Sequence, residues 1–192
     1  SEALEFALAT LAKMPADDEL LDAVIRLAPG LGHDQDLYVA LDRRRRSAQT
    51  DGERLGVTLR AAEVAGAALG DQETAFQYLE QSAAAAVGRK EPDESRLAEV
   101  EAMARRVDAA RPEVGMIAAL VERLASRGDE LGESEPRGGV VLLRRAAALC
   151  EDDLALPEQA MALYSRAVML WPADPECPAK LEAVAATLRR LG

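Results

Sequence analysis

The chain has 192 residues and a formal net charge of −11 at neutral pH. Phosphate backbones are bound by basic surfaces, so this acidic balance argues against a nucleic-acid-binding role. No stretch approaches the run of about 18 apolar residues that spans a membrane, and the chain opens at Ser1-Glu2 without the basic region of a signal peptide. We therefore expect neither a nucleic acid nor a membrane among its partners.

The residue composition favours helices and a reducing compartment. Apolar residues make up 49% of the chain, aromatic residues only 3%, and alanine and leucine dominate, which suits packed helices better than sheets. The two cysteines, Cys150 and Cys177, lie in unrelated local contexts, which favours free thiols and a cytoplasmic protein. Only three of the 23 basic residues are lysines, and this preference for arginine suggests GC-rich coding and a bacterial source.

Turn signals divide the chain into about ten helices. Proline, glycine and aspartate mark the breaks, and Asp34 and Asp71 are candidate N-caps. With ends uncertain by a few residues, the expected helices are about 2–13, 19–28, 34–46, 53–69, 72–87, 93–109, 113–127, 138–153, 157–170 and 177–190.

Two connections between these helices are longer than the rest. Gly88–Ser95 and Arg127–Gly139 are polar, charged and rich in glycine or proline. We expect both to be exposed loops, and the second to be mobile. The repeat pattern described below continues across both, so the sequence predicts one array over residues 1–192 instead of two domains.

The clearest hairpin of helices lies between Val140 and Asp174. Apolar residues recur at spacings of three and four on each side of a break at Ala155-Leu156-Pro157, which places each set on one helix face. Pro157 suits the first turn of a helix. A hairpin of this size cannot bury both apolar faces alone. We therefore expect related hairpins elsewhere in the chain.

Internal matches supply those hairpins. A shift of 85 residues places Ala61-Ala62 on Ala146-Ala147 and Ala75 on Ala160, and a shift of 157 places Met14-Pro15 on Trp171-Pro172. Each long period holds two hairpins, so the basic unit is about 35 to 45 residues, as in helical solenoids. Neither end carries a polar capping element. This predicts a segment of a longer array, with open ends through which copies could associate.

The hairpin pattern resembles the tetratricopeptide repeat family. In that family small residues let two helices approach, a large residue fills the gap and a proline closes the second helix. Here the small positions match Ala147, Ala160 and Ala167, the large one Tyr164 and the closing one Pro172. Leu143 and Cys150 replace the family's tryptophan and tyrosine. The resemblance implies an all-α fold, a right-handed α-α superhelix of antiparallel helix pairs.

The same resemblance implies binding of a peptide or protein surface, with no catalysis. The groove of such repeats is lined by exposed residues of each hairpin's first helix. These positions lean acidic and the whole chain is acidic, so we expect a basic or amphipathic partner. By position, the candidate partner-binding residues are Glu63, Arg144, Ala148, Glu151, Asp152, Glu182 and Arg189.

Motifs for chemistry are weak in this sequence. His33 is the only histidine and stands at a turn, where a metal site or catalytic triad would lack partners. Arg43–Arg46 is the one basic run, and we interpret it as a solvated helix end, with an anion site as the alternative. We expect no catalytic residue, cofactor or metal. Two alternatives to a scaffold stay open, an enzyme or small-ligand sensor with a site between repeats, and a self-associating structural array.

Overall fold

The structure is a computed structural model that describes residues 2–11, 13–14, 17–28, 31–87 and 91–191. It is all-α, and the described residues contain no strand. A π-helical segment, Val64–Leu69, continues the fourth helix, and a short 3-10 turn, Pro112–Val114, precedes the seventh. The α-helices are α1 Glu2–Leu11, α2 Asp18–Leu27, α3 Asp34–Ser47, α4 Asp51–Glu63, α5 Gln72–Val87, α6 Glu94–Ala110, α7 Met116–Gly132, α8 Pro136–Asp152, α9 Pro157–Leu170 and α10 Cys177–Leu191.

Most helix starts follow the signals in the sequence. Asp71 precedes α5, and its carboxylate accepts a hydrogen bond from the Thr74 amide at 3.1 Å, as an N-cap does. Pro157 is in the first turn of α9. The N-cap prediction for Asp34 was wrong, because His33 holds the cap position and Asp34 is the first helical residue. The predicted breaks at Pro15 and at Pro29-Gly30 lie outside the described residues.

The predicted long loop over Arg127–Gly139 was also wrong. Helix α7 continues to Gly132 and α8 begins at Pro136, so three residues connect them. Glycine and charge content suggested a loop, but tertiary packing overrides these propensities. Of the other expected loop, Gly88–Lys90 lies outside the described residues, and α6 begins at Glu94.

The chain forms two compact units. The first unit comprises Ser1–Ala85 and Ala102–Val114, and the second comprises Ala86–Glu101 and Gly115–Gly192. The division falls within α5 and α6, whose residues are therefore shared between the units. Whether the whole chain is one repeat array, as expected from the sequence, stays a prediction.

The core of the first unit includes apolar residues of α2, α3 and α5. Leu21 and Val24 of α2, Leu37 and Leu41 of α3 and Leu79 of α5 are all at most 3% exposed. Their spacings of three and four place the pairs on single helix faces. This packing holds α2 against α3.

The basic run Arg43–Arg46 is a solvated helix end only in part, because Arg43 and Arg46 are exposed while Arg44 and Arg45 contribute to this packing. Arg44 is only 5% exposed. The Arg45 guanidinium lies 5.2 Å from the centre of the Tyr78 ring and pairs with Asp42 at 2.9 Å. Four consecutive helical residues point around the whole circumference, so two of these arginines meet the protein interior.

The second unit is packed through small residues. Gly128 and Gly132 of α7 face Gly139 of α8 so closely that a methyl group added at Gly139 would lie 2.6 Å from the Gly128 carbonyl oxygen. The positions that match the repeat pattern are also in the core, as expected: Ala147, Ala160, Tyr164 and Ala167 are fully buried, as is Ala75 in the first unit.

Candidate binding site

A surface pocket of about 530 Å³ in the first unit is the candidate site. This volume is in the range of sites that hold a small ligand or a few side chains. Two smaller cavities, of about 340 and 200 Å³, lie in the same unit. The larger pocket is lined by Ile25, Asp34, Leu37, Leu41, Arg60, Glu63, Val64, Ala67, Ala68 and Arg106.

The lining of the pocket is mainly apolar. Helix α2 contributes Ile25, α3 contributes Leu37 and Leu41, and the π-helical segment contributes Val64 and two alanines. Leu37 and Leu41 are buried in the core of the first unit, so their positions are fixed by packing. Together with Ile25 and Val64, these leucines form the floor of the pocket. An apolar ligand group that enters the pocket would leave water without requiring this floor to rearrange.

One wall of the pocket is the π-helical segment. On its opposite side, a methyl group added at Gly66 would lie 2.6 Å from a Val107 methyl, so only glycine permits this approach. The segment ends at Gly70, which adopts the left-handed conformation (φ 68°). Single π-turns are frequent at functional sites, because they displace side chains from the α-helical register.

Arg111 stabilises the end of this segment. Its Nε donates a hydrogen bond to the Ala67 carbonyl at 2.8 Å, and Nη2 donates to the Ala68 carbonyl at 3.3 Å. The carbonyls at the end of a helix lack partners within the helix, and a cation there is favourable. Arg111 thus holds the wall that presents Ala67 and Ala68 to the pocket.

Two ion pairs lie at the rim of the pocket. Arg60 pairs with Asp22, and Nε of Arg106 donates to Oε2 of Glu63 at 2.8 Å. Asp34 is, with Glu63, one of the two acidic residues that line the pocket, and its carboxylate makes no ion pair with any residue that the structure describes. The rim therefore carries one carboxylate whose charge is not balanced by a neighbouring cation.

Of the residues predicted to bind a partner, Glu63 is the one at this pocket. It ends α4 and is paired with Arg106 across the rim. The other predicted residues, Arg144, Ala148, Glu151, Asp152, Glu182 and Arg189, belong to the second unit.

Arg144 and its neighbours form an ion-pair network within the second unit. Arg144 lies 3.0 Å from the Glu176 carboxylate and 3.8 Å from Asp174, and its side chain is only 20% exposed. Asp174 in turn accepts hydrogen bonds from the amides of Glu176 and Cys177 at the start of α10. Sequence reasoning placed Arg144 on an open groove, but it is engaged in holding α8 to the start of α10.

Glu151 is also partly buried. Its Oε2 atom and the Tyr164 hydroxyl are both inaccessible to solvent, and neither meets the geometry of a hydrogen bond within the described residues. Burial, with the negative charges of Glu151 and Asp152, raises the pKa of Tyr164 well above its usual value of 10.0. Glu151 therefore faces Tyr164 instead of an exposed groove, whereas Ala148 is half-buried.

The remaining predicted residues are exposed. Asp152 is the last residue of α8, and Glu182 and Arg189 are on α10. The Arg189 Nε donates to the Ala185 carbonyl of its own helix at 3.2 Å. These three remain available to a partner, but no contact described in the structure brings them together as one site.

Sequence reasoning missed Arg60, Arg106 and the pocket role of Asp34. The sequence marked Asp34 only as a helix start. That signal concerns α3 alone and does not show which other helices lie near Asp34. The pocket depends on a π-turn and on α6 residues distant in sequence, and neither leaves a periodic signal. The apolar lining has the same spacing as ordinary core residues.

Other kinds of site find no support among the described residues. No cluster of three or more histidine, cysteine, aspartate or glutamate residues there could hold a metal ion. Likewise, none of the helices that the structure describes combines the length and apolarity required to span a bilayer.

Comparison with known proteins adds no family assignment. No protein-family model matches the chain, and no significant match is found among curated proteins or solved structures. The site is therefore interpreted from its own geometry.

Proposed function

We propose that the chain is a helical-repeat scaffold, similar to tetratricopeptide repeats, that binds a segment of another protein. In this proposal its helix pairs belong to a right-handed superhelix, and the pocket of the first unit is where the partner docks. The buried small residues Ala75, Ala147, Ala160 and Ala167 are what such close helix pairs require. No catalytic role is proposed.

The observation that carries the proposal is the pocket with its paired rim. Its apolar floor offers burial for a partner's side chain, while Arg60 and Arg106 are already neutralised by Asp22 and Glu63. Enzymes and small-ligand sensors need polar groups that converge on the ligand. Here both arginines of the rim are already paired with carboxylates around an apolar floor, which favours an apolar anchor from a protein segment.

A blocking variant provides the test. Ala68 lines the pocket and is exposed, so Ala68→Trp would fill the pocket with an indole while leaving the core unchanged. We would pan a display library of short random peptides against the parent protein and measure the affinity of the selected peptides by fluorescence anisotropy. Peptides that dock in the pocket should bind Ala68→Trp at least about tenfold more weakly, since the burial of one aliphatic side chain is lost.

Ala84→Trp is the matched control. Ala84 is an exposed alanine on α5, in the same unit, and does not line this pocket. The proposal expects the selected peptides to bind this variant as they bind the parent. It is contradicted if no peptide binds above background, or if both tryptophan variants weaken binding equally.

The proposal places the protein in the bacterial cytoplasm. Cys150 and Cys177 are both free and buried, as expected for a protein kept in a reducing compartment. The strong preference for arginine over lysine supports the bacterial source.

A further inference from the structure

We infer that the segment bound in the pocket carries an aliphatic side chain next to a lysine or arginine, whose charge pairs with Asp34. This inference rests on the proposed function and names the ligand chemistry of that site. It follows from which rim charges are already balanced and from what lines the floor.

The charges of the rim favour a cationic ligand group over an anionic one. Arg60 and Arg106 are the two cations of the rim, and each already has a carboxylate partner, Asp22 and Glu63. An incoming carboxylate would have to displace one of these or share its cation. Asp34 has no ion pair with the described residues, so a cation is the group that gains a partner without breaking one.

The floor defines the second requirement. Ile25, Leu37, Leu41 and Val64 present aliphatic carbon, and the alanines of the π-helical segment leave the space open. A leucine, isoleucine or methionine side chain fits this lining, and its burial supplies affinity. The cation then determines orientation and specificity, because a rim charge is partly solvated and adds modest affinity.

Asp34 also has a structural role that must be separated from binding. It is in the first turn of α3, where a carboxylate interacts favourably with the helix dipole. Asp36 shares that turn but pairs with His33 at 3.0 Å and lines a different cavity. Asp36→Asn therefore removes the same charge from the same helix end without touching the pocket.

The experiment uses four synthetic peptides of equal length and one fluorescent label. A central leucine or alanine is flanked either by lysines or by glutamates, and binding to the full chain is measured by anisotropy at low and physiological ionic strength. We expect the leucine–lysine peptide to bind best, and its alanine counterpart to bind about tenfold more weakly or worse. Asp34→Asn should weaken the leucine–lysine peptide about twofold to fivefold at low ionic strength, and Asp36→Asn should leave it unchanged.

The outcomes separate this inference from the proposed function. If the leucine–glutamate peptide binds as well as the leucine–lysine peptide and Ala68→Trp weakens both, the pocket binds peptides and the inferred cation is wrong. Equal losses in Asp34→Asn and Asp36→Asn would likewise overturn the role of Asp34. If no peptide binds, or if Ala68→Trp has no effect on any of them, the inference and the proposed function both fail.

Discussion

Glycine permits close packing in both units, and in the first unit a pocket lies on the other side of the glycine-bearing segment. In the second unit, Gly128, Gly132 and Gly139 bring the backbones of α7 and α8 into direct contact. In the first unit, Gly66 lets the π-helical segment approach Val107 on one side, while Val64, Ala67 and Ala68 of the same segment line a pocket on the other. Glycine thus permits a close contact in each unit, and in the first unit the other side of the same segment stays open.

The comparison of the two units shows why the α7–α8 contact leaves no cavity, whereas a pocket lies beside the π-helical segment. Two regular α-helices with glycines in register approach until their backbones touch, and interiors of this kind reach the density of organic crystals. A π-turn adds a residue to one turn, so the following side chains leave the regular register. In the first unit the segment places Val64 and two small residues, Ala67 and Ala68, at the pocket.

The largest expected effect is from a substitution at the α7–α8 contact. In Gly139→Ala the new methyl group would lie 2.6 Å from the Gly128 carbonyl oxygen and 2.7 Å from Cα of Gly132. Both neighbours are backbone atoms, so the helices themselves must move apart. We expect the free energy of unfolding, measured by urea denaturation, to fall by about 3 kcal/mol.

The control for this variant is Gly56→Ala. Gly56 lies within α4, and a methyl group added there meets nothing within 4 Å. Alanine is the better helix former, so this change should stabilise the protein by about 0.5–1 kcal/mol. A Gly139→Ala variant as stable as the parent would show that α7 and α8 are not in backbone contact.

The next expected effect concerns the end of the π-helical segment. Arg111→Ala removes two hydrogen bonds to the Ala67 and Ala68 carbonyls, and we expect it to cost about 1–2 kcal/mol. Hydrogen exchange should accelerate at the Asp71 amide, which donates to the Ala65 carbonyl, because the wall is no longer held. Arg111→Lys keeps the charge but not the planar fork. The stability of Arg111→Lys should lie between those of the parent and the alanine variant. An Arg111→Ala variant as stable as the parent would contradict this role.

The sequence predicts the helices well and the α7–α8 connection badly, for a single physical reason. Proline, aspartate and apolar periodicity are local signals, and Asp71 and Pro157 act where they were expected to act. The glycines between Arg127 and Gly139 have low helix propensity, so local reasoning predicts a loop. Packing of α7 against α8 overrides this propensity, and the close contact leaves no room for a Cβ at Gly139. That constraint is absent from local sequence.

The candidate site is predictable only in part, for a related reason. Glu63 was identified because a repeat pattern assigns it to the exposed face of a first helix, and it does lie at the pocket rim. The same pattern also selected Arg144 and Glu151, which are partly buried against the start of α10 and against Tyr164. A pattern along one helix does not show what the next helix covers, and Asp34 and Arg106 come together only through tertiary packing.

Alkaline pH provides a smaller test, at the start of α10. Burial, with the hydrogen bond and charge of Asp174, raises the pKa of the Cys177 thiol from 9.0 to about 12. Above pH 9 the unfolded chain loses this proton while the folded chain keeps it, so stability falls as pH rises from 9 to 12. The slope from one group is at most about 1.4 kcal/mol per pH unit.

Cys177→Ala should make this decline shallower. Burial also raises the pKa values of Tyr78 and Tyr164, so both proteins should still lose stability at the highest pH. The cavity left by the missing sulfur costs the same free energy at every pH. Urea denaturation at a series of pH values separates the two effects, and parallel curves for parent and variant would show that the thiol ionises alike in both states.

The smallest expected effect is at Asp152. It is exposed at the end of α8, whereas its neighbour Glu151 has a carboxylate oxygen buried beside the Tyr164 hydroxyl. Asp152→Lys should therefore change the free energy of unfolding by less than about 0.5 kcal/mol. Glu151→Lys forces a larger cation into a space shared with a buried ring, and it should cost about 1–3 kcal/mol. Urea denaturation of the two single variants distinguishes these positions, which the sequence had treated as one exposed acidic pair. Equal stability of both variants would show that Glu151 is exposed and that α8 has the predicted acidic face. A loss confined to Glu151→Lys would leave Asp152 as the residue of this pair that a basic partner could reach.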